Sequence, residues 1–280
     1  MGMIDNYYVP ENIEELRDLC VSIWDKGEDF KIVGHTSNIY FQPNTNIHHL
    51  ISTKKLNKWS IKRNRIICEC GVNVKSLTKI MVDEGVEGFA GLIDLPGTIG
   101  GGIYGNSSVS NYSIAKLLMS VEILCEDGYV REFSGMEMGF QYRSSNLKRH
   151  EVSGIILRCT LKMKKGYKEK EKREATMIHE WRKKYQPGPL NNLGTTVLLG
   201  RYSFYGYIIS TIAHLFKMNS SHSDKISLIL KIENASGLAP YLFGFNRFMW
   251  KDAKAHNYFH KYIQIIKRLY RSPQLEIEIW

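Results

Sequence analysis

The chain is 280 residues long, and much of what it lacks is informative. No apolar run approaches the roughly 18 residues that a membrane-spanning helix needs, so none is expected. The opening stretch, MGMIDNYYVPENIEEL, is acidic and carries no basic segment ahead of an apolar core, so no secretory leader is expected. Cysteines are few and odd in number: Cys20, Cys68, Cys70, Cys125 and Cys159. Five in a chain of this size do not build a disulfide framework, and Cys68 and Cys70 lie too close together for a structural zinc pair. They read as core thiols of a reducing cytoplasm. There is no internal repeat. With 43% hydrophobic and 24% charged residues the composition also excludes disorder and low complexity.

What is present in excess is positive charge. Thirty-eight Lys and Arg against 28 Asp and Glu give a net charge of +10, which favours an anionic partner. The excess is segmental. Residues 54–65 carry six cations and no acid, residues 162–184 ten cations against four acids, and residues 247–271 seven against one, whereas residues 1–30 are acidic.

Hydrophobic spacing and turn residues predict an alternating layout. Helices are expected at Glu11–Asp25, Val74–Glu84, Thr176–Tyr185 and His256–Tyr270. Strands are expected at Phe30–Val33, Ile39–Phe41, Arg65–Cys70, Gly154–Met163 and Gln274–Ile279. Ser120–Cys125 and Tyr129–Phe133 form a hairpin about Asp127-Gly128. The polar run Lys164–Arg173 reads as an inter-domain connection.

Eight glycines fall within residues 85–105. Gly100, Gly102 and Gly105 fit G-x-G-x-x-G, with Glu122 at the distance of a ribose-binding acid. The context does not fit: a Rossmann fingerprint follows an apolar strand and opens a helix, but here Asp94-Leu95-Pro96-Gly97 precedes and the loop-like Asn106-Ser107-Ser108 follows. The glycines instead suit close backbone approach to an anionic ligand such as a pyrophosphate.

Leu95-Pro96-Gly97-Thr98-Ile99-Gly100-Gly101 resembles the IPGTVGG segment of the MurB family, the flavin-dependent UDP-N-acetylenolpyruvoylglucosamine reductases of peptidoglycan synthesis. Three further segments resemble that family in the same order. Gly85-Val86-Glu87-Gly88-Phe89 is similar to its GLEGLE stretch, Ile32–Asn38 to its LGGGSN loop, and Phe140-Gln141-Tyr142-Arg143-Ser144-Ser145 to its F-x-YR-x-S. The resemblance covers about residues 8–165.

It implies an α+β fold: a two-lobed FAD-binding domain of the PCMH type over residues 1–165 (lobes about 1–53 and 54–165), then a smaller MurB C-terminal-like α+β domain over 166–280. FAD would lie against Gly34, His35, Thr36, Ser37, Asn38, Pro96, Gly97, Thr98, Ile99, Gly100, Gly101, Asn106, Gly154 and Ile155, with the pyrophosphate held by backbone N–H groups and by the Ser37 and Asn38 side chains. NADPH would be the reductant and a nucleotide sugar the substrate. Arg143 matches the family's active-site arginine, suited to a carboxylate that gains charge in the transition state. Arg182 falls in a segment resembling R-x-x-T-Q-P. Asn192–Thr195 resembles N-x-G-S, which places Thr195 at the proton donor. Gly244-Phe245-Asn246 resembles F-I-V-N, and Leu275–Ile279 resembles L-E-P-E-V, which makes Glu278 the catalytic glutamate on one strand face with Glu276. Tyr142, Arg182 and Asn246 would contact substrate.

The sequence also departs from the family. His35 and Thr36 replace glycines, and Thr196–Gly200 replaces an aromatic followed by K-N-P. Two other readings therefore stand beside the reductase: a MurB-like flavoenzyme acting on a different sugar or glycan precursor in surface-polysaccharide synthesis, and a non-catalytic flavin-binding protein. Asp252, His256 and His260 share a helix face but read as solvated rather than metal-binding, and the basic, aromatic C-terminal segment reads as a packed helix rather than a nucleic-acid surface. No membrane insertion is expected, and the oligomeric state is open.

Overall fold

The computed structural model describes residues 3–186, 196–199, 201–216, 222–242, 247–249 and 254–280. In chain order the elements are β1 (Ile4–Tyr8), α1 (Ile13–Asp25), β2 (Lys31–Val33), β3 (Ile39–Tyr40), β4 (Ile47–Ser52), β5 (Trp59–Lys62), β6 (Arg65–Glu69), α2 (Val74–Asp83), α3 (Ile99–Tyr104), β7 (Ser108–Val109), β8 (Tyr112–Ser113), α4 (Ile114–Leu117), β9 (Leu118–Leu124), β10 (Val130–Ser134), β11 (Ile155–Lys162), α5 (Lys168–Tyr185), β12 (Val197–Leu198), α6 (Phe204–Phe216), α7 (His222–Ile232), α8 (Ala255–Leu269), β13 (Gln274–Leu275) and β14 (Glu278–Ile279). This is the expected α+β class.

The chain forms two compact units. The larger comprises Gly2–Ser37 and Asn46–Tyr185, the smaller Asn38–Thr45 and Gln186–Trp280. The sequence reading ended its first domain at residue 165; here α5 falls within the larger unit, and Asn38–Thr45 joins the C-terminal residues.

The larger unit holds a parallel sheet of order β1-β4-β2 and an antiparallel sheet of order β10-β9-β11-β6-β5. Helix α1 is capped by Asn12, whose Oδ1 accepts the Glu15 N–H at 2.9 Å, while Glu15 Oε2 reaches back to accept the Glu11 N–H at 2.8 Å. Its buried face, Ile13, Leu16, Cys20 and Ile23, keeps helical spacing. Helix α2 is capped by Asn73, whose Oδ1 accepts the Ser76 N–H at 2.9 Å, and it buries Val74, Leu77 and Met81. The β9–β10 hairpin turns at Asp127-Gly128, with Gly128 at φ +78°. All five cysteines are free and buried, and burial pushes the Cys20 and Cys70 thiols up to about 12.

In the smaller unit α6, α7 and α8 pack around Ile209, Leu230, Phe248, Phe259, Tyr262 and Ile266. Two short ladders complete it, β12 against β13 antiparallel and β14 against β3 parallel. No helix among the described residues is long and apolar enough to cross a membrane.

Beyond elements that the sequence did not signal, among them β1, β4, β5, α6 and α7, the structure differs from the sequence reading as follows. Lys164–Arg173 is not a plain connection, because α5 already begins at Lys168. The C-terminal strand is broken: β13 and β14 pair with different partners, and Glu276 and Ile277 between them are buried. Glu276 and Glu278 therefore do not belong to one strand face. Finally, the glycine cluster itself is helical over α3, although no strand feeds it as a Rossmann turn would require.

Candidate active site

The loop after β2 and the loop before α3 meet side by side. A Cβ on Gly34 would stand 2.3 Å from Thr98 Oγ1, so only a residue without a side chain lets the two backbones approach this closely. One turn on, a Cβ on Gly97 (φ +106°) would stand 2.9 Å from Ser37 Oγ. Asn73, the α2 cap, joins both loops. Its Nδ2 lies 3.2 Å from His35 Nδ1, and its backbone bridges Thr98. Thr36, where the family carries glycine, sits at φ +52°. A β-branched residue there is strained, and the left-handed turn is what a row of N–H groups needs to curve around an anion.

The distribution of donors decides which loop can grip a pyrophosphate. Among the described residues, the backbone N–H groups of Gly34, His35, Thr36 and Ser37 find no acceptor within the chain. Those of Ile99, Gly100 and Gly101 are engaged. Ile99 donates to Val72 O at 2.8 Å, Gly100 to Cys70 O at 2.8 Å and Gly101 to Thr98 Oγ1 at 3.3 Å. The first loop is thus the better anion cradle, and the second contributes Gly97, Thr98 and the open face of the exposed Gly101. Gly100 has a packing reason as well, since a Cβ there would press on Cys70 at 3.0 Å. Gly154 (φ +147°) is fixed by its sheet neighbour Leu124, whose carbonyl a Cβ would meet at 2.4 Å, and Ile155 is buried in β11 beside it.

The far end of α3 carries the arginine loop. Ser145, fully buried, donates its hydroxyl to Tyr104 O at 2.7 Å, and Asn106 Nδ2 donates to Gln141 O at 2.7 Å. Asn106 adopts φ +43°, and its Oδ1 is buried with no donor in reach among the described residues. Such an orphaned acceptor fits a site that takes a polar ligand. Gln141 and Ser144 close a turn with Arg143 at φ +53°, its guanidinium 5.7 Å from the ring centroid of the exposed Tyr142. Arg149 braces the turn from below, donating to Gly139 O at 2.8 Å and to Ser144 Oγ at 3.2 Å.

Helix α5 docks against the approach to the glycine loop. Arg182 Nη1 donates to Ile93 O at 3.4 Å, and Asp94 (φ +59°) accepts from Lys75 Nζ at 3.0 Å and pairs with His179. Burial works to raise the Asp94 carboxyl, but the His179 and Lys75 contacts outweigh it, and the group lies below its usual value.

In the smaller unit, the Asn38 carbonyl accepts the Glu278 N–H at 2.9 Å and the Asn38 Nδ2 donates to Glu276 O at 2.9 Å. Asn38 therefore straps the C-terminal residues. Glu278 is half-buried, whereas Glu276 is buried and offsets the burial that pulls the Arg247 pKa down. Thr195 and Asn246 lie outside the described residues. Their neighbours are joined: Thr196, fully buried, accepts the Phe248 N–H on Oγ1 at 2.9 Å and the Glu276 N–H on its carbonyl at 3.0 Å.

Residues 4–134 match the FAD binding domain family. A UDP-N-acetylenolpyruvoylglucosamine reductase of Caldicellulosiruptor saccharolyticus is 28% identical over 154 residues, covering 55% of this chain and 49% of that protein. One from Clostridium beijerinckii is 26% identical over 208 residues, covering 74% and 68%, and one from Carboxydothermus hydrogenoformans is 29% identical over 195 residues, covering 69% and 64%. The solved structure of UDP-N-acetylenolpyruvylglucosamine reductase (MurB) from Thermus caldophilus superposes with a TM-score of 0.69 at 20% identity, covering 97% of this chain and 91% of that one. The chain thus carries an FAD binding domain and resembles the MurB reductases in sequence and in fold. The sequence matches span about half to two thirds of the length of these curated relatives.

The larger unit brings together Gly34–Ser37, Gly97 and Thr98 at one end of α3, and Asn106, Tyr142 and Arg143 at the other. Two supporting residues escaped the sequence reading. Asn73, which ties both loops, lies outside every motif, and its only signal is its position ahead of α2. Ser145 lies inside a recognised motif, but its buried bond to Tyr104 has no sequence signature. On α8, His256 Nδ1 lies 3.1 Å from Tyr40 Oη and His260 Nε2 lies 2.9 Å from Gln264 Nε2, so both are engaged in side-chain contacts. Asp252 lies outside the described residues.

Proposed function

We propose that this protein is an FAD-dependent reductase of an enolpyruvyl nucleotide sugar, drawing on NADPH, in the cytoplasmic synthesis of cell-wall precursors. The observation that carries the reading is the arrangement about α3, with an anion cradle at its start and an arginine turn pinned to its end. FAD, when bound and reduced by NADPH, would supply a hydride to the double bond of the substrate. The N–H groups of Gly34–Ser37 and the orphaned Asn106 Oδ1 would hold the cofactor's polar groups. The Arg143 guanidinium would pair with the substrate carboxylate as negative charge moves onto it, an interaction stronger in the transition state than in the ground state. The Thr195 hydroxyl would give its proton to the adjacent carbon, and Glu278 would support that charge distribution. Tyr142, Arg182 and Asn246 would orient the sugar nucleotide.

A second reading has its own observation. Where the family carries a cation and an amide after the proton donor, this chain has the short strand β12, with Val197 buried. That loss favours a different sugar or glycan precursor as substrate.

The purified protein should be yellow and oxidise NADPH when given UDP-N-acetylglucosamine enolpyruvate. A preparation that cannot be loaded with FAD defeats the proposal. Flavin reduction by NADPH without turnover of that sugar selects the second reading, and no reduction by NADPH at all selects a non-catalytic role.

A further inference from the structure

At the parallel sheet of the larger unit, one ring nitrogen each of His48 and His49 and a carboxylate oxygen of Glu28 lie within 4.8 Å of one another. The two histidines are consecutive on β4, where side chains normally diverge to opposite faces. Here their ring centroids are only 4.4 Å apart. His49 Nε2 already meets Glu28 Oε2 at 2.9 Å.

The outer nitrogens are held too. His48 Nδ1 lies 2.8 Å from Asp5 Oδ2, and His49 Nδ1 lies 3.3 Å from the Tyr8 hydroxyl, both partners coming from β1. A histidine whose second nitrogen is fixed by a carboxylate or hydroxyl has its ring orientation and tautomer set for coordination through the first, the arrangement that accompanies metal-bound imidazoles. Two imidazoles and a carboxylate form a donor set of intermediate softness, suited to divalent first-row ions such as zinc rather than to calcium or magnesium. Asp5 and Glu28 add two negative charges, with Lys26 acting on Glu28 from the opposite sign. The site is reachable: the His48 side chain is 58% exposed and that of Glu28 37%, leaving room for a water ligand.

We infer that Glu28, His48 and His49 bind one divalent transition-metal ion, which ties the turn after α1 to the β1–β4 pair. His49 coordinates through Nε2 and His48 through Nε2, with Asp5 and Tyr8 as outer partners. Tetrahedral zinc with bonds of about 2.1 Å sets its ligand atoms about 3.4 Å apart. The His49–Glu28 hydrogen bond therefore opens by about 0.5 Å and is replaced by the ion.

The inference is independent of the flavin reading and is tested on the full chain, purified, freed of metal with a chelator and then titrated with zinc chloride at neutral pH. Calorimetry should give one ion per chain, and the melting temperature should rise with zinc. His48→Ala, at an exposed position, should fold and lose the zinc response, as should Glu28→Gln. Asp5→Asn should keep the stoichiometry and bind roughly ten-fold more weakly. The absence of saturable binding overturns the inference, because the cluster is then a hydrogen-bonded group only. Binding of equal strength in His48→Ala and Glu28→Gln overturns it as well, since the ion then sits elsewhere.

Discussion

The hydroxyl of the buried Ser145 donates to the carbonyl of Tyr104 at 2.7 Å. Tyr104 is the last residue of α3, and Thr98, the cap at its other end, is the residue against which Gly34 closes. A helix of six residues thus runs from the Gly34–Ser37 loop to the arginine turn, so the proposed cofactor and substrate ends share one rigid element.

Ser145→Ala should cost about 1–2 kcal/mol of stability, because the bond from the buried Ser145 hydroxyl to the Tyr104 carbonyl is lost. FAD content and reduction by NADPH should persist while reduction of the sugar substrate slows. Single-turnover measurements of the two half-reactions separate these effects. Equal slowing of both would show that Ser145 does not act through the Arg143 turn.

Gly34→Ala should abolish FAD retention while leaving a folded protein. The added Cβ meets three side-chain atoms of Thr98, at 2.3, 2.7 and 3.1 Å, and forces the two loops apart. Visible absorbance after gel filtration, compared with circular dichroism of the same sample, checks this. A yellow variant would contradict the assigned cradle.

The Asp94 contact predicts an acid-sensitive dock. A carboxyl whose folded pKa is depressed stabilises the fold above its unfolded value, and this contribution is lost as pH falls through the folded one. The melting temperature of the parent should exceed that of Asp94→Asn near neutrality, and the gap should close once pH drops below about 4. Hydrogen exchange at His179 and its α5 neighbours should rise over the same range.

Glu171 behaves in the opposite sense. It is 3% exposed, its Oε2 finds no donor among the described residues, and burial followed by repulsion from Glu174 raises its pKa. A raised carboxyl costs stability at neutral pH and costs less as pH falls toward its folded value. Glu171→Gln should therefore stabilise the protein by about 1 kcal/mol at pH 7, with the advantage shrinking in mild acid. Chemical denaturation at two pH values measures both.

Motifs made much of the candidate site's backbone legible because the Gly34 loop and the arginine turn depend on local backbone, and Gly34, Gly97 and Arg143 sit in short contiguous patterns. Helix α3 was not legible. Three of its six residues are glycine, each worth about 1 kcal/mol against helix, and only packing on Cys70 and the Thr98 cap overrides that propensity. Strand β4 escaped because consecutive histidines interrupt the apolar run that its buried residues otherwise form. The division between Glu276 and Glu278 escaped because alternation along Gln274–Ile279 looks continuous, while the pairing partners change in the middle. The histidine–glutamate cluster joins residues twenty apart, a distance at which no ligand spacing is visible in one sequence.

The parallel pairing of β14 with β3 sets an order in time. Ile39 leaves the ribosome more than two hundred residues before Glu278, its partner in the ladder. The smaller unit is therefore completed only when synthesis reaches its final residues, whereas Gly34 and Thr98 can meet much earlier. During that interval Ile39 and Tyr40 present an unpaired strand edge, so a truncated or stalled chain would carry a formed cradle and an exposed site for misassembly.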